Sequence, residues 1–148
     1  MKSCRFCEIG KSIREKEHVI FEDKKHIAFL DLYPIAKGQC MIIPKKHIGG
    51  LETFTMSDKD FSDLFIFTKK VAKKLEKAMK PKFTFLVIEG TGVNHLHIKL
   101  YPIYKIRKMA EKRPITPHRP YYGFLTTRLG PKAKERELIR IAKKISKA

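Results

Sequence analysis

The stretch Phe83–Pro102, FTFLVIEGTGVNHLHIKLYP, decides the architecture. Its first part, FTFLVIEG (83–90), is apolar and rich in β-prone residues, and Gly90 and Gly92 then interrupt it. Its last part, NHLHIKLYP (94–102), alternates polar with apolar side chains. Two such runs around glycines predict an antiparallel hairpin over 83–101. Successive strand residues point to opposite faces. His95, His97 and Lys99 therefore share one face, and Leu96, Ile98 and Leu100 the other. The polar face is either the wet side of an ordinary strand or a reactive site, and paired histidines also suit metal ligation.

Upstream, SDKDFSDLFIFTKKVAKKLEKAMK (57–80) predicts a helix. Ser57 caps it, Asp60 three residues later suits the positive end of the helix dipole, and Pro81 follows its end. Phe61, Leu64, Phe65, Val71, Leu75 and Ala78 set the apolar stripe, and Ile66 and Phe67 widen it toward a second contact face. Further upstream, HVIFEDKKHIAFLD (18–31) reads as two short strands, 19–21 and 27–30, joined by the polar turn 22–25. QCMIIPKKH (39–47) is a third strand, halted near Pro44. Downstream, 104–119 reads as a basic, proline-punctuated loop, and PKAKERELIRIAKKIS (131–146) as a second helix opened by Pro131. The order of strands, helix, strands, helix implies a single α+β domain over 1–148 with an antiparallel sheet. Its core is 1–103, and 104–148 is a basic extension.

The chain has 148 residues, enough for one real core, and no apolar run reaches the 18 or so residues of a membrane span. A soluble cytoplasmic protein is expected. Charge is the outlier: 33 Lys+Arg against 15 Asp+Glu give +18, a field that draws nucleotides or nucleic acid.

Three cysteines cannot all pair, and Cys4-x-x-Cys7 suggests metal or redox chemistry unless it is a pair of ordinary thiols. Two cysteines are half of a tetrahedral zinc site, and His47 and His95 are available to close it. Cys40, within an apolar strand, reads as a core residue, while His18, His26 and His118 read as surface residues. Asp31 ends an apolar strand, where a carboxylate can accept ribose hydroxyls or merely shape a turn. A neutral imidazole fixed on a strand can attack phosphorus, and an adjacent ammonium such as Lys99 would keep it neutral.

CRFC (4–7), AFLDLYPIAKGQCMIIPKKHIGGL (28–51), the central helix and HLHIKLYP (95–102) in this order resemble the histidine-triad (HIT) family of nucleotidyl hydrolases and transferases. The resemblance covers about the first hundred residues and implies a HIT-like fold, commonly homodimeric, with a purine-nucleotide pocket. It implies His97 as nucleophile, with Lys99 in the third triad position, and Phe29, Asp31, Leu32, Asn94 and Lys99 toward the nucleotide. It also implies structural zinc on Cys4, Cys7, His47 and His95. The substrate it implies is a purine nucleoside phosphoramidate, a dinucleoside polyphosphate or a similar conjugate. Removal of a nucleotide from nucleic-acid ends, or nucleic-acid binding with little catalysis, are the alternatives.

This chain departs from the family pattern in three places: Lys99 replaces the last histidine, EGTGVN (89–94) shortens the phosphate segment, and Gln39 stands where many members have histidine. The related galactose-1-phosphate uridylyltransferases carry glutamine at the Lys99 position. The basic tail, including YYGFLTTRLGP (121–131), Arg119, Arg128, Lys132 and Lys134, is a candidate wall for the leaving-group side of the pocket.

Overall fold

The computed structural model describes residues 4–12, 17–90, 92–105 and 129–148. Most of the basic stretch 104–119, residues 121–128, and with them His118, Arg119 and Arg128, lie outside the described residues. The described elements are α1 (Arg5–Ser12), β1 (Val19–Glu22), β2 (His26–Leu30), β3 (Cys40–Pro44), α2 (Asp58–Met79), β4 (Phe83–Glu89), β5 (His97–Ile103) and α3 (Glu135–Ser146). The five strands form one antiparallel sheet in the order β1-β2-β3-β5-β4, so the hairpin expected from 83–101 places β4 at an edge. This is the α+β arrangement with one antiparallel sheet that the sequence implies.

The alternation of β5 is what divides the molecule. Leu96, Ile98 and Leu100 join Ala28, Leu30, Cys40 and Ile42 under α2 and α3, making the main core. On the opposite face, Ile27, Phe29 and Ile43 pack with Phe6 of α1 as a smaller cluster. A row Phe29–Met41–Lys99–Val87 crosses β2, β3, β5 and β4 on this second face. One face of the sheet is thus spent on stability and the other is left for chemistry. Cys40 is fully buried in the main core, and burial pushes its thiol up to about 12, so it stays protonated and inert.

α2 begins as its sequence requires: the Ser57 hydroxyl accepts the Asp60 N–H at 3.1 Å. It ends at Lys80 in the left-handed conformation, just before Pro81. The buried stripe is Leu64, Phe67, Thr68, Val71, Leu75 and Ala78, so Phe67 belongs to the core, whereas Phe61 and Phe65 stack on each other at its margin. The i, i+3, i+4 run through Val71 and Leu75 fixes the inward face, and the two outer phenylalanines fall off its axis.

Three further expectations are corrected. α3 starts at Glu135 and not at Pro131, because residues 130–133 run extended along Leu32–Tyr33: Gly130 N–H donates to the Tyr33 carbonyl and Ala133 N–H to that of Leu32, both at 2.9 Å. A Cβ at Gly130 would lie 2.1 Å from the Pro34 oxygen, so only glycine permits this approach. Second, 90–96 is a seven-residue connection and not a tight turn. Gly90 packs its Cα against Gly50, where a Cβ would come within 2.0 Å. Third, His18 and His26 are buried. His26 packs on the Phe67 ring beside the Asp23 carboxylate (3.2 Å), and His18 Nε2 stands 2.9 Å from Glu135 at the start of α3. The Asp23 carboxylate, three residues back in the same turn, offsets the burial of His26, whereas neither ring nitrogen of His18 makes a hydrogen bond among the described residues.

Candidate active site and metal centre

Nucleation of α1 right after Cys4 puts Cys4 and Cys7 one turn apart, with Glu8 N–H closing the turn on the Cys4 carbonyl at 3.0 Å. Phe6 between them is buried against the site face, edge-on to the rings of His95 and His97. Helix α1 therefore brings both sulfurs to His47, which follows β3, and to His95, which precedes β5. The four donor atoms lie within 4.8 Å of one another. His95 Nδ1 is 3.3 Å from Cys4 Sγ and 3.6 Å from Cys7 Sγ, and His47 Nδ1 is 3.6 Å from Cys7 Sγ.

Tetrahedral zinc bonds of 2.0–2.3 Å put neighbouring ligands about 3.6 Å apart, so this donor set fits the ion. The tautomer agrees. His95 Nε2–H donates to the Pro44 carbonyl at 3.0 Å, which leaves Nδ1 as a lone-pair donor facing the sulfurs and orients the ring as metal-bound imidazoles usually are. Burial, with His47 and His97 nearby, holds the His95 imidazole below its ordinary value. Bound there, zinc would supply a cross-link between α1 and the start of β5.

Two residues along, His97 is fixed by its own backbone. Its Nδ1–H donates to the His95 carbonyl at 2.8 Å, so Nε2 carries the lone pair. Burial is the largest influence on its pKa and depresses it, as does the Lys99 charge, while the His95 hydrogen bond and the nearby Glu89 carboxylate oppose them, and the net direction is down. The result is a neutral, immobilised imidazole, which is what an in-line attack on phosphorus needs.

His97 and Lys99 open into a cavity of about 300 Å³ whose walls include Phe29, Asp31, Leu32, Tyr33 and Met41. Asp31 is buried at the end of β2 and tightly held: Tyr33 N–H donates to Oδ1 (2.8 Å) and the Gln39 amide to Oδ2 (2.5 Å). Gln39 also accepts the Ile35 N–H at 2.9 Å, so it braces the loop that carries the acid. Each Asp31 oxygen keeps a lone pair for a hydroxyl on the cavity side.

The structure thus brings together Phe29, Asp31, Leu32, His97 and Lys99 around one cavity and Cys4, Cys7, His47 and His95 beside it. Asn94 goes elsewhere: its Oδ1 accepts the Gly50 N–H at 3.1 Å, tying the 90–96 connection to the 3₁₀ turn at 50–52, and it is not among the cavity's lining residues.

Some lining residues are not evident from sequence. Arg5 and Phe6 arrive from α1, and Leu129 arrives with the segment that Gly130 and Ala133 tie to Tyr33 and Leu32. The most consequential is Glu89, which pairs with His97 across the β4–β5 ladder. Its only sequence signal is that it ends an apolar strand before Gly90, and the length of the connection hides its partner.

The HIT domain matches residues 13–106 of the chain. Among similar proteins, the adenosine 5'-monophosphoramidase HNT1 of Saccharomyces cerevisiae is 36% identical over 106 residues, covering 68% of this chain and 62% of that protein. Among solved structures, a hypothetical histidine triad nucleotide-binding protein of Sulfolobus tokodaii superposes with a TM-score of 0.70 at 25% identity, covering 97% of this chain and 90% of the other. A Zn-bound histidine triad family protein of Mycobacterium smegmatis shares the fold, with a TM-score of 0.65 at 20% identity over 98% of this chain and 94% of that one. With His97 on β5, a Cys4–Cys7–His47–His95 group that could hold a metal ion, and these likenesses, the chain belongs to the HIT family.

Proposed function

We propose that the protein is a nucleotidyl hydrolase or transferase acting on a purine nucleoside phosphoramidate, a dinucleoside polyphosphate or a similar conjugate. The observation that carries this is the neutral Nε2 of His97, buried and pinned, facing a cavity with an ammonium beside it and Asp31 across it. The named activity of the HNT1 relative supports the nucleotide class.

In the proposed sequence His97 Nε2 attacks the α-phosphorus. The P–N bond forms as the bond to the leaving amine or phosphate breaks, and the departing group keeps the electron pair. Lys99 offsets the charge on the phosphoryl oxygens, Asp31 accepts the ribose hydroxyls, and Phe29 and Leu32 flank the base. Water, or another acceptor hydroxyl, then attacks the nucleotidyl-His97 phosphorus, loses its proton, and returns Nε2 to its starting state. A panel of adenosine and guanosine phosphoramidates and dinucleoside polyphosphates, read by mass spectrometry, is expected to give nucleoside monophosphate from at least one. A panel left intact by protein that retains its metal overturns the reading.

The same reading includes a homodimer. β4 is a sheet edge with Leu86 partly exposed, and it lies with Phe65, Ile66 and Ala72 of α2 along a shallow groove. Ile66 is 54% exposed there, and Phe54, 88% exposed, approaches the ring of Phe61 at 6.5 Å. An edge strand with adjoining apolar surface favours self-pairing. Sedimentation is expected to show a dimer that Ile66→Glu converts to monomer; a monomeric wild type at micromolar concentration contradicts it.

A further inference from the structure

Glu89 and His97 oppose each other across β4 and β5, and Lys99 stands on the same face opposite Val87. A single oxygen lies against both groups: Glu89 Oε2 is 2.8 Å from Lys99 Nζ, its ion-pair partner, and 3.3 Å from His97 Nε2. The three side chains are only 10%, 6% and 4% exposed, so water screens this cluster little. An anionic oxygen touching both the ammonium and the nucleophilic nitrogen occupies a distinctive place. For Nε2 to reach phosphorus at the roughly 3–3.5 Å of a near-attack pose, a phosphoryl oxygen must lie in the same region.

We propose that Glu89 is a resident stand-in for the substrate phosphate, holding Lys99 at the nucleophile until an anionic phosphoryl group takes its place. The proposal rests on the nucleotidyl-transfer reading and deepens it. Two anions beside one buried ammonium repel each other, so an entering phosphate takes Lys99 from the carboxylate, and Glu89 turns away. When the nucleoside monophosphate leaves, Glu89 returns to Lys99 and the exchange assists release. No covalent bond changes. Glu89 acts through Lys99 and is a positioning residue that sets the affinity for phosphate. A purely structural ion pair predicts the opposite sign: losing its carboxylate strands a buried ammonium and loosens the site.

Calorimetry on the full chain with AMP, inorganic phosphate and adenosine separates the two. Glu89→Gln is expected to bind AMP about tenfold more tightly, because a like charge has been removed within contact distance of the phosphate. Inorganic phosphate should follow AMP, and adenosine should be nearly unchanged. In turnover, KM and the inhibition constant of AMP fall together. Glu89→Asp, which keeps the charge, is expected not to gain affinity for AMP. AMP affinity in Glu89→Gln equal to or weaker than wild type overturns the inference, as does an equal gain for adenosine or for Glu89→Asp.

A wild-type complex with AMP reads the exchange without any substitution. Glu89 is expected to have left Lys99, and an intact 2.8 Å pair beside bound phosphate overturns the inference. Absence of AMP binding by wild type sinks the nucleotide reading and this inference together. Turnover with no gain in Glu89→Gln sinks this inference alone.

Discussion

His97→Ala is expected to lower kcat on any phosphoramidate that the protein cleaves by at least about a thousandfold, since among the described residues no second imidazole lines the cavity. His95 cannot take over. Its Nδ1 is aimed at the two sulfurs and its Nε2–H is engaged by Pro44. Lys99 is paired with Glu89, and an ammonium has no lone pair to attack with. The loss should fall on kcat, because the base, ribose and Lys99 contacts survive the substitution. Acid-quenched wild type should also carry the mass of one covalently attached nucleoside monophosphate, and His97→Ala should carry none. Turnover in His97→Ala at the wild-type rate would falsify the nucleophile assignment. Removing a buried ring also leaves a void, so melting temperatures must be compared to show that the loss is chemical.

How much of this was legible in the chain depends on the range of the contact. The alternation of 94–102 correctly divided β5 into a core face and a site face, because a strand's two faces follow from backbone geometry alone. The Ser57 cap and the Lys80–Pro81 stop are local too, and α2 begins and ends where they require. The residues themselves offered Cys4, Cys7, His47 and His95 as candidate ligands, and the family resemblance made them one set, since residues so far apart in sequence converge only through the fold. Glu89 escaped for a related reason: its role depends on the register between β4 and β5, and a seven-residue connection leaves that register open. His18 was misplaced because what covers it, the start of α3 at Glu135, is remote in sequence, and His26 because the Phe67 ring that buries it comes from α2. Asn94, expected at the nucleotide, instead holds Gly50. Asn94 lies in the connection before β5, where strand alternation does not set the direction of a side chain.

Stripping the metal, or replacing Cys4 with serine, is expected to lower the melting temperature by roughly 10 °C, taking a loss of about 3 kcal/mol at 2–4 °C per kcal/mol for a chain of this size. Protein purified without added zinc should contain about one zinc per chain by metal analysis, and Cys4→Ser should contain little. The physical reason lies in what holds α1. Apart from the cluster, its described attachment to the sheet is Phe6, packed against Ile27, Phe29 and Ile43. One aromatic side chain is a weak anchor for an eight-residue helix, which is short for independent stability. Without an ion, the lone pair of His95 Nδ1 and two sulfurs crowd within 3.3–3.6 Å, an arrangement that requires a proton between them or separation. Release of α1 removes Arg5 and Phe6 from the cavity wall while His97 keeps its bond to the His95 carbonyl. The kinetic signature should therefore be the reverse of His97→Ala: KM rises severalfold as the wall opens, and kcat changes less. Native protein that lacks metal and melts with Cys4→Ser at one temperature would return Cys4 and Cys7 to the status of ordinary thiols. A metal-dependent kcat collapse as large as that of His97→Ala would instead place the ion in the chemistry rather than in the scaffold.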